Sequence, residues 1–294
     1  MASGYRRCTL CLAGGSYDNA CDSAQIASNV REFRGERFTV WRCPGCRSLH
    51  CLEDIDFNSY YRAYPIQQTR LDFITRVMYR SRLRILERAG LLRAHRILDY
   101  GCGNGAFVEY LREHGYQNAG GYDPYSEHFS DPTRLQPPYD FVLAQDVIEH
   151  DPDPVAFVSR LAAMTVRPHG TLVIGTPDAE GIDLGSSLDA CGQLHQPFHR
   201  HILARHELAR LMSSNGLEVT KILRRWYVDT WVPFANSAFI VRFWAALGGV
   251  VDASFEPIPG GLFLRHPSLI FYGLLGRLYA NQKDVLVVAK SKST

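Results

Sequence analysis

The sequence predicts an α/β protein: a doubly wound, mostly parallel sheet with a small cysteine-bearing module in front of it. Three observations predict this. From residue 96 onward strand-like and helix-like segments alternate, a pattern that lays helices on both faces of a parallel sheet. "ILDYGCGNGAF", residues 97–107, is an apolar run that breaks into three glycines at alternate positions and then resumes as a helix. Two CxxC pairs, Cys8/Cys11 and Cys43/Cys46, stand near the N-terminus.

The chain has 294 residues, enough for one large domain with an appendage. Apolar content of 46% and charged content of 21% are those of an ordinary globular protein. A net charge of +2 argues against wholesale wrapping of nucleic acid. The charge is unevenly spread, because residues 1–96 carry sixteen arginines against nine Asp and Glu. The opening MASGYRRCTL has neither the apolar core of a secretory signal nor an amphipathic targeting pattern, so the cytoplasm is the expected compartment. Eight cysteines in a reducing compartment point to metal or buried thiols rather than a disulfide framework.

Residues 1–55 read as a zinc-ribbon module. Each CxxC knuckle presents two thiolates from a tight turn, and Cys8, Cys11, Cys43 and Cys46 together complete a tetrahedron with no open position, so the zinc is expected to be structural. Cys21, Cys51, Cys102 and Cys191 fall outside the pattern and read as packing residues. Residues 56–96 read as an Arg-rich helical linker: from about Tyr60 to Leu92, Leu71, Ile74, Val77, Met78, Ile85 and Leu86 recur at helical spacing. Arg76, Arg80, Arg84 and Arg88 follow one another at i, i+4, where like charges are mildly destabilising. Either they form a solvated face relieved by Glu87, or they dock an anionic substrate, a membrane or RNA.

Residues 97–294 carry the alternation. "RILDY", "AGGYD", "YDFVLAQD", "GTLVIGTP", "LEVTKILRRWYV" and "DVLVVAKS" read as strands. "AFVEYLREHG", "PVAFVSRLAAM" and "RHELARLMSSNG" read as the helices between them. Residues 227–283 interrupt the rhythm. "VPFANSAFIVRFWAALGGVV" is nearly long enough to span a bilayer, but Asn236, Arg242 and Gly248-Gly249 sit inside it. It reads as an insertion covering an acceptor pocket, with membrane docking as the alternative.

A glycine-rich strand-to-helix turn lets a ligand approach bare backbone. Gly101, Gly103 and Ala106 formally satisfy the dinucleotide fingerprint. Asp99 discriminates. A carboxylate at the end of that strand would face a pyrophosphate with like charge, whereas a sulfonium nucleoside with its ammonium group reverses the sign of the interaction. Asp123, eighteen residues after Gly105, can accept both ribose hydroxyls of either cofactor.

"DYGCGNG" resembles, position by position, the acid-x-G-x-G-x-G motif of the class I S-adenosylmethionine-dependent methyltransferases. "YDFVLAQDVIEHDPDP", "RPHGTLVIGTPD" and "HRHILARHELARLMSSNGLEV" are similar to that family's fourth-strand, fifth-strand and following segments. The paired N-terminal CxxC knuckles resemble those of a subgroup that methylates sugars, lipids and secondary metabolites. The resemblance implies a Rossmann-like class I methyltransferase fold with S-adenosyl-L-methionine as cofactor. It further implies that Asp99, Gly101, Gly103 and Gly105 contact the methionine portion, that Asp123 holds the ribose, and that Gln145 and Asp146 lie beside the cofactor. The chain departs from the family between Asp123 and Asp140, where the usual helix and third strand are shortened. That leaves Asp131 as the acidic candidate for an adenine contact.

Methyl transfer rests on alignment of the nucleophile with the methyl group, plus removal of a proton from the acceptor. Histidine suits that proton near neutral pH. His150, at the end of "DVIEH", and the group His195, His199 and His201 are the candidates, with His150 or His199 preferred as base and His201 beside them. His206 reads as a surface residue. The expected acceptor is a small molecule, partly apolar or anionic, methylated on oxygen or carbon. An RNA base methyltransferase is the alternative, and a non-catalytic ribbon scaffold a second. The zinc region lacks the interleaved aromatic and basic residues of a nucleic-acid platform.

Overall fold

A computed structural model of the chain describes residues 6–11, 13–61, 69–186, 192–225, 227–279 and 282–292. In chain order the N-terminal part forms β1 (Ser23–Ala27), β2 (Arg37–Arg42), β3 (Leu49–Cys51), α1 (Phe57–Tyr61) and α2 (Phe73–Arg88). The second part begins with β4 (Ile97–Tyr100), α3 (Ala106–Glu113), β5 (Ala119–Tyr122), β6 (Phe141–Gln145), α4 (Pro154–Met164) and β7 (Thr171–Pro177). It continues with β8 (His201–Ile202), α5 (Arg205–Ser214), β9 (Leu217–Leu223), α6 (Ser237–Ala246), α7 (Leu262–Arg265), α8 (Ser268–Leu275) and β10 (Asp284–Ser291).

The main sheet has the order β5-β4-β6-β7-β10-β9. Strands β5, β4, β6 and β7 run parallel, and β10 inserts antiparallel to both β7 and β9. Alternate residues serve opposite faces, so both faces are apolar, as parallel strands buried on two sides require. Leu98, Val142, Leu172 and Ile174 pack under α4 and α5 with Phe157, Leu161 and Leu208. Ile97, Phe141, Leu143 and Val173 pack under α2 and α3 with Leu86, Phe107 and Leu111. Helix boundaries follow capping chemistry: Asp72 accepts from the Thr75 amide at the start of α2, and Asp153 from the Ala156 amide before Pro154 of α4.

Four features depart from the reading of the sequence. The N-terminal module does not close at residue 55, because β8 pairs with β3 and completes a second sheet of order β1-β2-β3-β8. The linker's described helices are α1 and α2, and the segment 62–68 expected to join them lies outside the described residues. Arg76 of the arginine stripe is relieved by a two-pronged ion pair with Glu113 of α3 rather than by Glu87, which accepts from the Tyr116 hydroxyl instead. Cys21 is exposed rather than packed, whereas Cys51 is buried and Cys102 half-buried. Cys191 lies outside the described residues. The expected shortening is present: between Asp123 and Asp140, all of them described residues, the chain forms only a short turn at Pro132–Arg134 and no strand.

Candidate active site and metal centre

Strands β4, β5 and β6 pair in register, Ile97 beside Ala119 and Phe141, so their carboxyl ends stop at one level. Tyr100, Tyr122 and Gln145 close these strands, and the residues that follow line the edge of the sheet where an open α/β fold binds its ligand.

The glycine turn is drawn tightly onto β5. The amides of Gly101 and Cys102 donate to the Tyr122 carbonyl, and that of Gly103 to Asp123 Oδ2 at 2.9 Å. Asp123 also accepts from the Tyr125 amide through Oδ1. All three glycines have positive φ, at 78°, 56° and 83°. A Cβ on Gly101 would strike Val147 and one on Gly105 the ring of Phe129, while one on Gly103 would meet nothing within 4 Å. Gly103 is therefore the point where bare main chain faces open space. A carboxylate has about four lone-pair sites, so Asp123 retains capacity for hydroxyl donors after its two backbone bonds.

Asp99 is only 2% exposed and faces Arg82 of α2 at 3.5 Å. Burial pushes its carboxyl up to about 6, against the pull of the guanidinium. Arg82, not singled out in the sequence, has its guanidinium 4.0 Å from the centre of the Phe107 ring. Asp146 adopts a left-handed backbone (φ 56°) and accepts from Gln145 Nε2 at 2.9 Å. Burial raises it too, to about 6. Gln145 finds room because position 175 of β7 is glycine, where a side chain would overlap its amide.

Next to this acidic edge lies an imidazole cluster. His199 Nδ1 sits 2.6 Å from the Gln193 carbonyl, which fixes the proton on Nδ1 and leaves Nε2 with a lone pair. Nε2 faces Glu149 Oε1 at 3.9 Å. Glu149 is fully buried, accepts from Thr176 through Oε2, and is driven well above the usual carboxylate range by desolvation and then by Asp146. His150 meets His199 edge to face, with ring centres 5.0 Å apart. Burial depresses His199 to about 4 and holds His150 well below the usual imidazole range, so both are neutral near pH 7. Gln193 in turn donates to Asp284 at the start of β10. Tyr61, stacked on Tyr125 at 4.2 Å, and Phe198 form an aromatic wall beside His150.

The structure thus gathers Asp99, Gly101, Gly103, Gly105, Asp123, Gln145, Asp146, His150 and His199 at one edge of the sheet. It does not bring His201 there. His201 lies in β8, buried, with Nδ1 2.9 Å from Nδ1 of His50 on the paired strand β3. His195 turns to Asn29 and stacks on Phe198. His206 is exposed beside Glu180. Glu149 and the aromatic wall were not singled out from the sequence, although Glu149 stands within "DVIEH". Asp131 accepts from the Thr133 amide in a short turn.

The second centre is the thiol cluster. Cys8, Cys11, Cys43 and Cys46 present sulfur atoms all within 4.8 Å of one another. The Cys8–Cys46 and Cys11–Cys43 separations are 3.6 and 3.7 Å. A tetrahedron with Zn–S bonds of about 2.3 Å has edges of about 3.8 Å. The donor set and its dimensions therefore fit a zinc ion. Glu149, His150 and His199 also place three donor atoms within 4.8 Å, so that cluster could take a cation as well as a proton.

This sheet, with its glycine turn and acidic carboxyl edge, is a Rossmann-like class I methyltransferase fold. A family model described as a methyltransferase domain matches residues 70–222, just over half of the chain, and the chain belongs to that family. The match begins with the strand-preceding helix that supplies Arg82 and leaves out both the cysteine module and the insertion. Ubiquinone biosynthesis O-methyltransferases of Yersinia pestis (strain Pestoides F) and Yersinia pseudotuberculosis (serotype O:1b) are 31% identical over 113 residues, covering 31% of this chain and 46% of theirs. The chain therefore spans about half the length of these curated relatives. Among solved structures, a putative sarcosine dimethylglycine methyltransferase from Galdieria sulphuraria aligns with a TM-score of 0.42 at 15% identity, over 75% of this chain and 86% of that one. A possible histamine N-methyltransferase from Thermotoga maritima aligns with a TM-score of 0.42 at 18% identity, over 80% and 96%.

Proposed function

We propose that the chain transfers a methyl group from S-adenosyl-L-methionine to an oxygen or carbon of a small molecule, a sugar, lipid or natural-product intermediate, using a histidine as general base. The observation that carries this reading is the pair of carboxyls raised by burial, Asp99 and Asp146, along the carboxyl edge of the sheet, with Asp123 bound to the Gly103 amide at the open turn. Such an edge favours a cationic nucleoside over a pyrophosphate.

S-adenosylmethionine supplies an electrophilic methyl group on a positively charged sulfur. Asp99 would balance the cofactor's ammonium group against the neighbouring Arg82 guanidinium, and Asp123 would accept from the ribose hydroxyls. Gln145 and Asp146 would lie beside the cofactor and face the acceptor. His199 Nε2, neutral and held in one tautomer by Gln193, takes the acceptor's proton. His150, edge to face with His199, completes the polar wall. The thiol cluster holds a zinc ion with a structural role, and the cytoplasm is the compartment in which those thiols stay reduced. The aromatic wall of Tyr61, Tyr125 and Phe198 suits an acceptor that is apolar in part.

Incubating a cell extract with the protein and isotopically labelled cofactor, followed by mass spectrometry, tests the reading. A labelled small molecule is expected. His199→Ala and His150→Ala should keep cofactor affinity and lower turnover by about 10²–10⁴-fold. If both variants retain full turnover, neither is the base.

A further inference from the structure

We propose that the insertion between β9 and β10 docks on an anionic phospholipid bilayer, lying in its interface without crossing it. Helix α8 and the turn after it bury Leu269, Gly273 and Gly276 against the protein and direct Ile270, Phe271, Leu274, Leu275 and Leu278 outward. Those five follow the i, i+1, i+4, i+5, i+8 spacing of one helical face. A helix packed on a water-exposed domain should present polar residues there. Leu264, 88% exposed, and Trp231, 74% exposed, add further apolar surface on the same insertion, and Tyr279 is half exposed. Trp and Tyr are the residues that settle at the headgroup level.

Charge selects the occupant. Residues 257–283 contain no Asp or Glu but include Arg265, Arg277 and Lys283. Arg265 is exposed next to Leu264, and the Arg277 guanidinium lies 4.8 Å from the Trp231 ring centre. A second copy of the chain would bring the exposed Arg265 face against itself in a two-fold contact, whereas anionic headgroups complement it. Among the described residues no helix is long and apolar enough to cross a membrane, which leaves interfacial seating. The inner side of the same insertion reaches the candidate site: the Val251 amide donates to the Asn29 carbonyl, and Val251 packs on Phe198, next to His199. The docking surface and the aromatic wall thus belong to one packed unit.

The test is co-sedimentation of the whole chain with vesicles of phosphatidylcholine alone and of phosphatidylcholine mixed with phosphatidylglycerol, at low and high salt. The protein should pellet with the mixed vesicles, and less so with phosphatidylcholine alone or at high salt. The pair Leu274→Glu and Leu278→Glu, both on the exposed face, should weaken that binding by at least about tenfold with an unchanged melting temperature. Arg265→Gln should weaken it about fivefold on the mixed vesicles only. Equal pelleting of the wild type and the double variant, or no pelleting with mixed vesicles at low salt, overturns the proposal. So does a dimer in sedimentation velocity that the same double variant abolishes, because a second copy would then cover the face.

Discussion

Asp99 carries the most informative charge in the molecule, because burial and Arg82 act on it in opposite directions. With its carboxyl pushed to about 6, it is protonated below that pH and charged above it. A ligand ammonium binds the charged form. Affinity for S-adenosylhomocysteine should therefore rise as pH increases through about 6 and then level off. Asp99→Asn should bind about 10- to 100-fold more weakly and show no such step, since a hydrogen bond to a charged group is worth about 1.5–3 kcal/mol. Calorimetric titrations between acidic and neutral pH measure both effects. His199, held near 4, stays neutral across that range, so its protonation should cause no loss of turnover between neutral pH and about 5. Asp99 was legible from its place in the motif. Its partner was not, because Arg82 falls off the i, i+4 arginine row and becomes significant only when α2 packs on β4. Glu149 was hidden for a similar reason: a glutamate in the turn after β6 looks ordinary until burial and the His199 lone pair stand beside it.

The glycine turn shows how one element divides its labour. Gly101 and Gly105 are closed off by Val147 and Phe129, and Gly103 alone opens outward among the three. Gly101→Ala should therefore fail as structure: its φ of 78° and the collision with Val147 should cost about 1–3 kcal/mol and lower the melting temperature by several degrees. Gly103→Ala should melt closer to the wild type yet lose cofactor affinity, because its methyl group would stand in the space the ligand needs. Differential scanning fluorimetry and calorimetry on the two variants separate these outcomes. The strands and helices of this half were readable because their apolar periods are long and regular. "PVAFVSRLAAM" and "DVLVVAKS" match α4 and β10 residue for residue. β9 is shorter than its expected run to residue 228, ending at Leu223, because its pairing with β10 stops there.

At the scale of the molecule, the cysteine module is joined to the catalytic half rather than appended to it. β8, contributed from beyond residue 200, completes its sheet, and Cys43 and Cys46 pack in the same core as Leu208 and Leu211 of α5. Arg42, buried between the two parts, donates to the carbonyls of Ala179 and Ile182. No local pattern announces a two-residue strand, and for that reason the sequence drew the boundary too early. Metal analysis should find one zinc per chain, and its removal by a strong chelator, or Cys43→Ser, should lower the melting temperature of the whole protein. An unchanged melting curve would separate the two parts. The acidic carboxyl edge is expected to select the ammonium-bearing nucleoside that S-adenosylmethionine and its thioether product share, over a pyrophosphate. The most direct measurement of that selectivity is isothermal titration of the zinc-loaded full chain with S-adenosylhomocysteine and, in parallel, with a nicotinamide dinucleotide. Saturable one-to-one heat is expected from the former and none from the latter; the reverse pattern would overturn that selectivity.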